Sequence, residues 1–209
     1  VNGFVEAWYD QSGNNFDMLQ STSTKQPLIV ENGVFLGSVK YDGSTSYLKA
    51  ATTLDISNQS VSLFSVQTRG AGPHQSTMGK HNSGRGISFE NTISRVFVTG
   101  NQNLISHSSD GTGFLLGTAI HTGDGSSDQI HLFRNSILKT ETNQSVFDVQ
   151  AEAEPIHATT YNILGGNRTE TTNSNFFEGE IKEVIIYKAN HMANRPAIEA
   201  NLNNQYSVY

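Results

Sequence analysis

Short apolar stretches broken by clusters of Gly, Asn, Asp and Ser run along the whole chain. Phe4 to Tyr9 alternates loosely and predicts a strand that stops at the turn-forming run Asp10-Gln11-Ser12-Gly13-Asn14-Asn15. Leu28-Ile29-Val30, the dipeptide Asn32-Gly33 and Val34 to Tyr41 predict a hairpin. Asp42-Gly43 predicts a second hairpin before Tyr47-Leu48. Val61 to Gln67 reads as a strand with both faces partly buried, and Ile87-Ser88-Phe89 and Val96-Phe97-Val98 are separated by Asn91 to Arg95, again a hairpin. Phe114 to Ile120 is a longer apolar run that ends in the segment from Thr122 to Asp128. In Gln129 to Arg134, Ile130, Leu132 and Arg134 share one face, while His131 and Phe133 share the other. Asn135-Ser136 then turns the chain back into Ile137-Leu138-Lys139. Phe176 to Tyr187 is the longest strand, with Gly179 marking a bulge or a close backbone approach. Helical spacing is found at the end of the chain. There Asn194 is placed to cap, Pro196 sits in the first turn, and Ile198, Leu202 and Tyr206 recur on one side.

Many short strands and one late helix predict an all-β, two-sheet antiparallel jelly-roll sandwich with one short C-terminal helix. A chain of 209 residues suits one such domain, residues 1–209. Composition agrees: 15% charged residues and 19 Gly fit strands joined by polar turns rather than a helical bundle. The net charge of -6, with no basic stripe, excludes nucleic acid and anionic membrane surfaces as partners. No apolar run approaches the roughly 20 residues of a membrane-inserted helix. The lack of cysteine fits either a reducing compartment or an extracellular protein that relies on core size. The abrupt opening Val1-Asn2-Gly3-Phe4, without a signal peptide, leads to the expectation of a piece of a longer protein.

Three segments carry a resemblance. Trp8-Tyr9-Asp10-Gln11-Ser12-Gly13-Asn14-Asn15-Phe16-Asp17, continuing to Gln20 and Gln26-Pro27, resembles a segment of laminin-G-like modules in bacterial surface and phage proteins. A similar segment occurs in the fungal arabinofuranosidase catalytic domain that shares this lectin-like sandwich. Val39 to Leu48, with Tyr41-Asp42-Gly43 at its centre, looks like the F-D-G-x-x-D-Y-L motif of the laminin-G-like family. Phe177 to Tyr187, followed by Arg195 and Ile198-Glu199, looks like its closing F-x-G-x-I-x-E-V-x-I-Y … R-x-x-I-E. The ordered set implies a laminin-G-like, concanavalin A-like jelly roll. That fold hosts lectins, adhesion modules, hydrolases, lyases and virion parts, so function rests on the site.

Candidate chemistry is sparse. Glu178-x-Glu180-x-x-Glu183 loosely resembles the paired-carboxylate strand of laminarinase-type glycoside hydrolases, in which two acids share a face and Glu183 joins them only through a bulge. Gln129-Ile130-His131 is similar to one strand of alginate-lyase sandwiches, whose companion motifs are absent. No catalytic acid of the arabinofuranosidase can be matched. Asp124 and Asp128, in a Gly-Ser loop, are candidates for calcium, with Asp42 and Asp110 as further ones. There is no Gly-x-Ser-x-Gly elbow and no phosphate-binding loop. Trp8, Tyr41 and Tyr47 are candidate sugar platforms, and His74, His81 and Arg85 stand in the most loop-like stretch. The leading expectation is a non-catalytic carbohydrate-binding or adhesion module of an extracellular, cell-surface or virion protein, with a glycan or polysaccharide as partner. The alternatives are a structural phage capsid or tail decoration domain contacting other virion or surface proteins, and a polysaccharide-active hydrolase.

Overall fold

The computed structural model describes residues 1–56, 59–68, 77–79, 86–89, 93–96, 106–108, 113–122, 130–138, 160–166 and 176–209; for 86–89, 93–96, 106–108, 130, 160 and 161 it describes the backbone. The strands, in chain order, are β1 (Gly3–Phe4), β2 (Ala7–Trp8), β3 (Met18–Leu19), β4 (Leu28–Glu31), β5 (Val34–Asp42), β6 (Leu48–Asp55), β7 (Val61–Gln67) and β8 (Met78–Gly79). They continue with β9 (Gly86–Phe89), β10 (Ile93–Val96), β11 (Ser106–Ser108), β12 (Leu115–His121), β13 (Ile130–Arg134), β14 (Ile137–Leu138), β15 (Thr160–Leu164) and β16 (Glu178–Tyr187). A single-turn 3-10 helix, Ser23–Lys25, precedes β4, and the helix α1 (Arg195–Tyr206) follows β16.

Two antiparallel sheets face each other. The first has the order β1-β4-β5-β16-β7-β12-β13-β14, and the second β11-β10-β9-β8-β15-β6-β3-β2. Val39, Tyr41, Leu63, Ala119, Leu132 and Ile181 of the first sheet meet Met18, Leu48, Ala50, Met78 and Leu164 of the second, forming the main core. The outer face of the first sheet is covered in its centre by α1: Phe64, Val66 and Leu116 pack against Leu202, with Ile198 and Tyr206 alongside. Both faces of β7 are therefore buried, and its polar residues Ser62, Ser65 and Gln67 are buried along with the apolar ones. The helix is held by a buried charge pair. Glu199 receives Arg195 from one turn earlier and the Thr118 hydroxyl at 2.7 Å from the sheet. The Arg195 guanidinium lies 3.9 Å over the Phe133 ring.

The expected all-β sandwich with its late helix is what forms, but several local readings are corrected. Phe4 to Tyr9 is not one strand: β1 joins the first sheet and β2 the second, with the Val5 N–H turned to the Pro27 carbonyl between them. Asn32-Gly33 does make the β4–β5 hairpin, with φ values of 53° and 84°. Asp42-Gly43 does not make a second hairpin, because β5 belongs to the first sheet and β6 to the second. The register shift in β16 falls between Ile181 and Glu183 rather than at Gly179. Asn194 occupies the N-cap position, yet its side chain makes no cap bond and contacts the His191 ring instead, at 3.3 Å.

Candidate functional site

The connection from β5 to β6 builds one end of the sandwich around a single carboxylate. Asp42 Oδ1 accepts the backbone N–H groups of Ser44, Thr45 and Ser46 and the Ser46 hydroxyl, and Oδ2 accepts the Thr45 hydroxyl at 2.5 Å. Burial pushes this carboxyl up, but the hydrogen bonds from Ser46, Thr45 and Ser44 outweigh it and hold it well below the usual carboxylate range. The turn is fastened to the far end of the chain. The Gly43 N–H donates to the Phe177 carbonyl at 3.0 Å, and a Cβ on Gly43 would stand 2.8 Å from the Glu178 Cβ. With φ at +72°, only glycine suits both the turn and this approach.

An aromatic pair sits on this end. Phe177 turns inward, buried against Tyr41 with an edge-to-face ring contact at 5.8 Å. Its neighbours Phe176 and Glu178 stay at the surface, Phe176 half-buried and Glu178 exposed. The Phe176 ring meets the half-buried Tyr47 ring at 6.3 Å, tilted by 40°. The backbone of Tyr47 is fixed by the neighbouring segment 20–26. Its N–H donates to the Lys25 carbonyl, and its carbonyl accepts the Gln20 side-chain amide at 3.2 Å. The Gln26 amide in turn donates to the Gln20 carbonyl at 2.7 Å, so the two glutamines of the first motif hold the wall beside the aromatic pair. Behind them, Gly165 packs close against the Tyr41 ring, where a Cβ would lie 2.2 Å from the nearest ring carbon.

This end gathers one of the expected ligand residues, Tyr47, and adds Phe176, expected only as part of the last strand. Tyr41, expected as a platform, is 1% exposed; it shares the inward face with Val39 and presents no ring to solvent. Trp8 is half-buried and packs against the main core. His74, His81, Arg85, Asp110, Asp124 and Asp128 lie outside the described residues.

The acid row of β16 does reach one face. Ile181 points into the core, so Glu178 and Glu180 face outward, and the shift after Ile181 brings Glu183 to the same side. Glu180 and Glu183 are each engaged by a structural partner. Glu180 accepts the Ser38 hydroxyl at 2.5 Å, and Glu183 accepts the Tyr206 hydroxyl at 2.5 Å. Burial, then Glu183, pushes the Tyr206 hydroxyl up to about 12. Lys182 lies 5.6 Å over the Tyr206 ring, further tying this stretch to the helix, and 4.1 Å over the Phe114 ring. His131 stacks beside Phe133, and burial holds its pKa below the ordinary histidine value. Among the described residues, no group of three or more His, Asp or Glu is arranged to hold a metal ion. No described helix is long and apolar enough to cross a membrane.

No protein-family model matches the chain, and no curated protein matches it in sequence. Solved structures do. A GH54 α-L-arabinofuranosidase soaked with a cyclic sulfate inhibitor superimposes with a TM-score of 0.55 at 12% identity, over 96% of this chain and 51% of that one. An arabinofuranosidase complexed with arabinofuranosyl-α-1,2-xylobiose gives 0.51 at 12% identity over the same shares. Domain 4 of AbnA, a GH43 extracellular arabinanase from Geobacillus stearothermophilus, in complex with arabinotriose, gives 0.47 at 15% identity, over 95% and 87%. The chain spans about half the length of the arabinofuranosidase chains it matches, and the likeness to them is one of fold.

Proposed function

We propose that this domain is a non-catalytic carbohydrate-binding module of a larger extracellular protein, with the Tyr47–Phe176 end as its sugar platform. The observation that carries the reading is that half-buried aromatic pair, held by backbone bonds from two distant segments and rimmed by hydroxyls and a carboxylate. Sugar rings lay their C–H faces on aromatic rings, and their hydroxyls need nearby polar groups such as Ser44, Thr45 and Glu178. A preformed platform costs little ordering on binding. The sandwich shared with arabinofuranosidases, one of them complexed with an arabinofuranosyl xylobiose, supports polysaccharides carrying arabinose as the first ligands to test. The three motifs of the sequence support a laminin-G-like module in particular. Against a hydrolase stands the engagement of Glu180 by Ser38 and of Glu183 by Tyr206, which leaves no free carboxylate pair in this row.

A polysaccharide panel read for both retention and release of reducing ends, with and without calcium chelator, tests this. Retention without product is expected. Product release would replace the module by an enzyme. Loss of retention on chelation would bring in calcium, for which Asp124 and Asp128 remain the proposed ligands.

A second reading, a protein-contact domain of a virion or cell surface, is favoured by one observation. Phe4, Val34 and Phe35 are exposed at the β1–β4–β5 edge, with Phe35 at 68%. Silence across the panel, with concentration-dependent self-association in sedimentation that a Phe35→Ser variant abolishes, would favour it.

A further inference from the structure

Helix α1 packs on Phe64, Val66 and Leu116 in the centre of the outer face of the first sheet, and the β1–β4–β5 end of that face lies beyond it. Ile29 and Val39 pack in the main core, so their neighbours Leu28, Val30 and Lys40 face outward. Phe4 is paired in register with Leu28 and Phe35 with Val30, so two rings flank Leu28 and Val30 on this face. Phe4 is 52% exposed and Phe35 68%, and Val34 is exposed beside Phe35 at the hairpin. The rim carries both signs of charge. Lys40, in register with Leu28, is taken up by both oxygens of Glu31 at 2.8 Å, and Glu180 stands opposite Lys40 on β16. The sheet edge itself is blunt: β1 has two residues, and the Val1 carbonyl already accepts the Gly33 N–H. Contact through the face, not an added strand, is what this end offers.

We propose that this patch is a two-fold contact between two copies of this chain. In a closed pair, residue i of one copy meets residue j of the other, and j meets i. Phe4 of each copy then packs on Phe35 of the other, over Leu28 and Val30. The rim points to a copy as the occupant: a rim of both signs complements itself under a two-fold axis, whereas a uniformly acidic or basic partner would match only part of it. The uncharged centre lets two chains of net charge -6 meet without stacking like charges. The exposed apolar surface is on the order of 400 Å², about half of the ~800 Å² that a standard interface takes from each partner. With the polar rim added, that suits a weak, reversible dimer. The proposal rests on the protein-contact reading above and narrows it to one partner. It makes no demand on the sugar end, which follows Asp42 at the far end of β5.

Sedimentation velocity of the whole 209-residue chain over a concentration series tests this. The expected result is a monomer that passes to a dimer with a dissociation constant on the order of tens of micromolar. Phe35→Glu and Phe4→Lys should each weaken the dimer about tenfold or more. Their thermal midpoints should stay near the native one, since both rings are more than half exposed. An equimolar mixture of the two variants should regain the dimer, because one of its two contacts keeps both rings and the other brings opposite charges together. A dimer that persists in both single variants, or a mixture that stays monomeric, would overturn the proposal. A monomer at every concentration would overturn it too, leaving the protein-contact reading to a different partner; if that monomer were also retained on the polysaccharide panel, the protein-contact reading would fall with it.

Discussion

Two turns of this protein use the same chemistry and are wired very differently. In the Asp10 turn, Oδ1 accepts the Ser12 N–H, while Oδ2 accepts the Ser12 hydroxyl and the Phe16 N–H. The Asp10 N–H meets Asp17 Oδ1 at 2.8 Å, so these side-chain bonds close within eight residues of chain, 10–17. The Asp42 turn binds its own residues in the same way, but it also reaches Phe177, Glu178 and, through Tyr47, Phe176, Lys25 and Gln20. The first is a local clasp. The second is a junction where segments far apart in sequence meet, and it is the one that carries an aromatic platform. Hydrogen-bonded aspartate turns are thus structural by default here; what distinguishes a candidate site is what the turn holds in place.

Glycine substitutions should break this contrast most sharply. Behind the Asp42 junction, Gly165 has φ at +84° and a Cβ would stand 2.2 Å from the Tyr41 ring. Gly165→Ala is expected to cost about 3 kcal/mol or more through strain and overpacking, read as a fall in the thermal midpoint. Gly43→Ala, against Glu178, should cost about 2 kcal/mol. Gly13→Ala, in the Asp10 turn, has φ at +82° but nothing within 4 Å, so about 1 kcal/mol is expected. Equal losses at Gly13 and Gly43 would remove the distinction between clasp and junction.

The aspartates come next. Asp42→Ala forfeits five accepted bonds and should cost about 2 kcal/mol in urea unfolding, whereas Asp10→Ala forfeits three in a more solvated turn and should cost about 1 kcal/mol. The smallest effect is on pH dependence. At Asp10 the Ser12 hydroxyl, then the Phe16 and Ser12 N–H groups, hold the carboxyl below its ordinary value; at Asp42 burial opposes the shift and the turn donors prevail. A folded value below the unfolded one contributes stability fully above the unfolded pKa, about 3.9, and loses it as pH falls through the folded one. Asp42→Asn should therefore flatten the loss of stability below about pH 4 more than Asp10→Asn does. Thermal midpoints recorded from neutral pH down to about 2 check this, and the reverse order would contradict the wiring described.

Much of the fold is legible in residue order, because alternation and turn dipeptides are local. Leu132 does lie in the main core, and the His131 and Phe133 rings do stack together as residues of one face. Sheet membership is not local. Asp42-Gly43 reads as a hairpin, yet β6 pairs with β3 and β15 in the other sheet. The same holds for Phe4 to Tyr9, where the Val5 bond to Pro27 marks the crossing. For the site, alternation did hold a usable signal. Tyr41 lies two residues from the apolar Val39 on one strand face, which implies an inward ring. The doublet Phe176-Phe177 implies one ring in and one out, but the sequence cannot say which, since that is set by Tyr41 and Gly43 far upstream. Nor does it reveal that Ser38 and Tyr206 engage Glu180 and Glu183.

The most direct measurement is affinity electrophoresis on arabinoxylan of the native chain against Phe176→Ala and Tyr47→Ala, with thermal midpoints recorded alongside. Each ring lost from the platform should weaken retention about tenfold or more, as removal of a stacking aromatic does. The midpoint should fall by only a few degrees, since both rings are half-buried at the surface. Retention unchanged in both variants, with the native chain clearly retained, would place sugar binding elsewhere on the molecule.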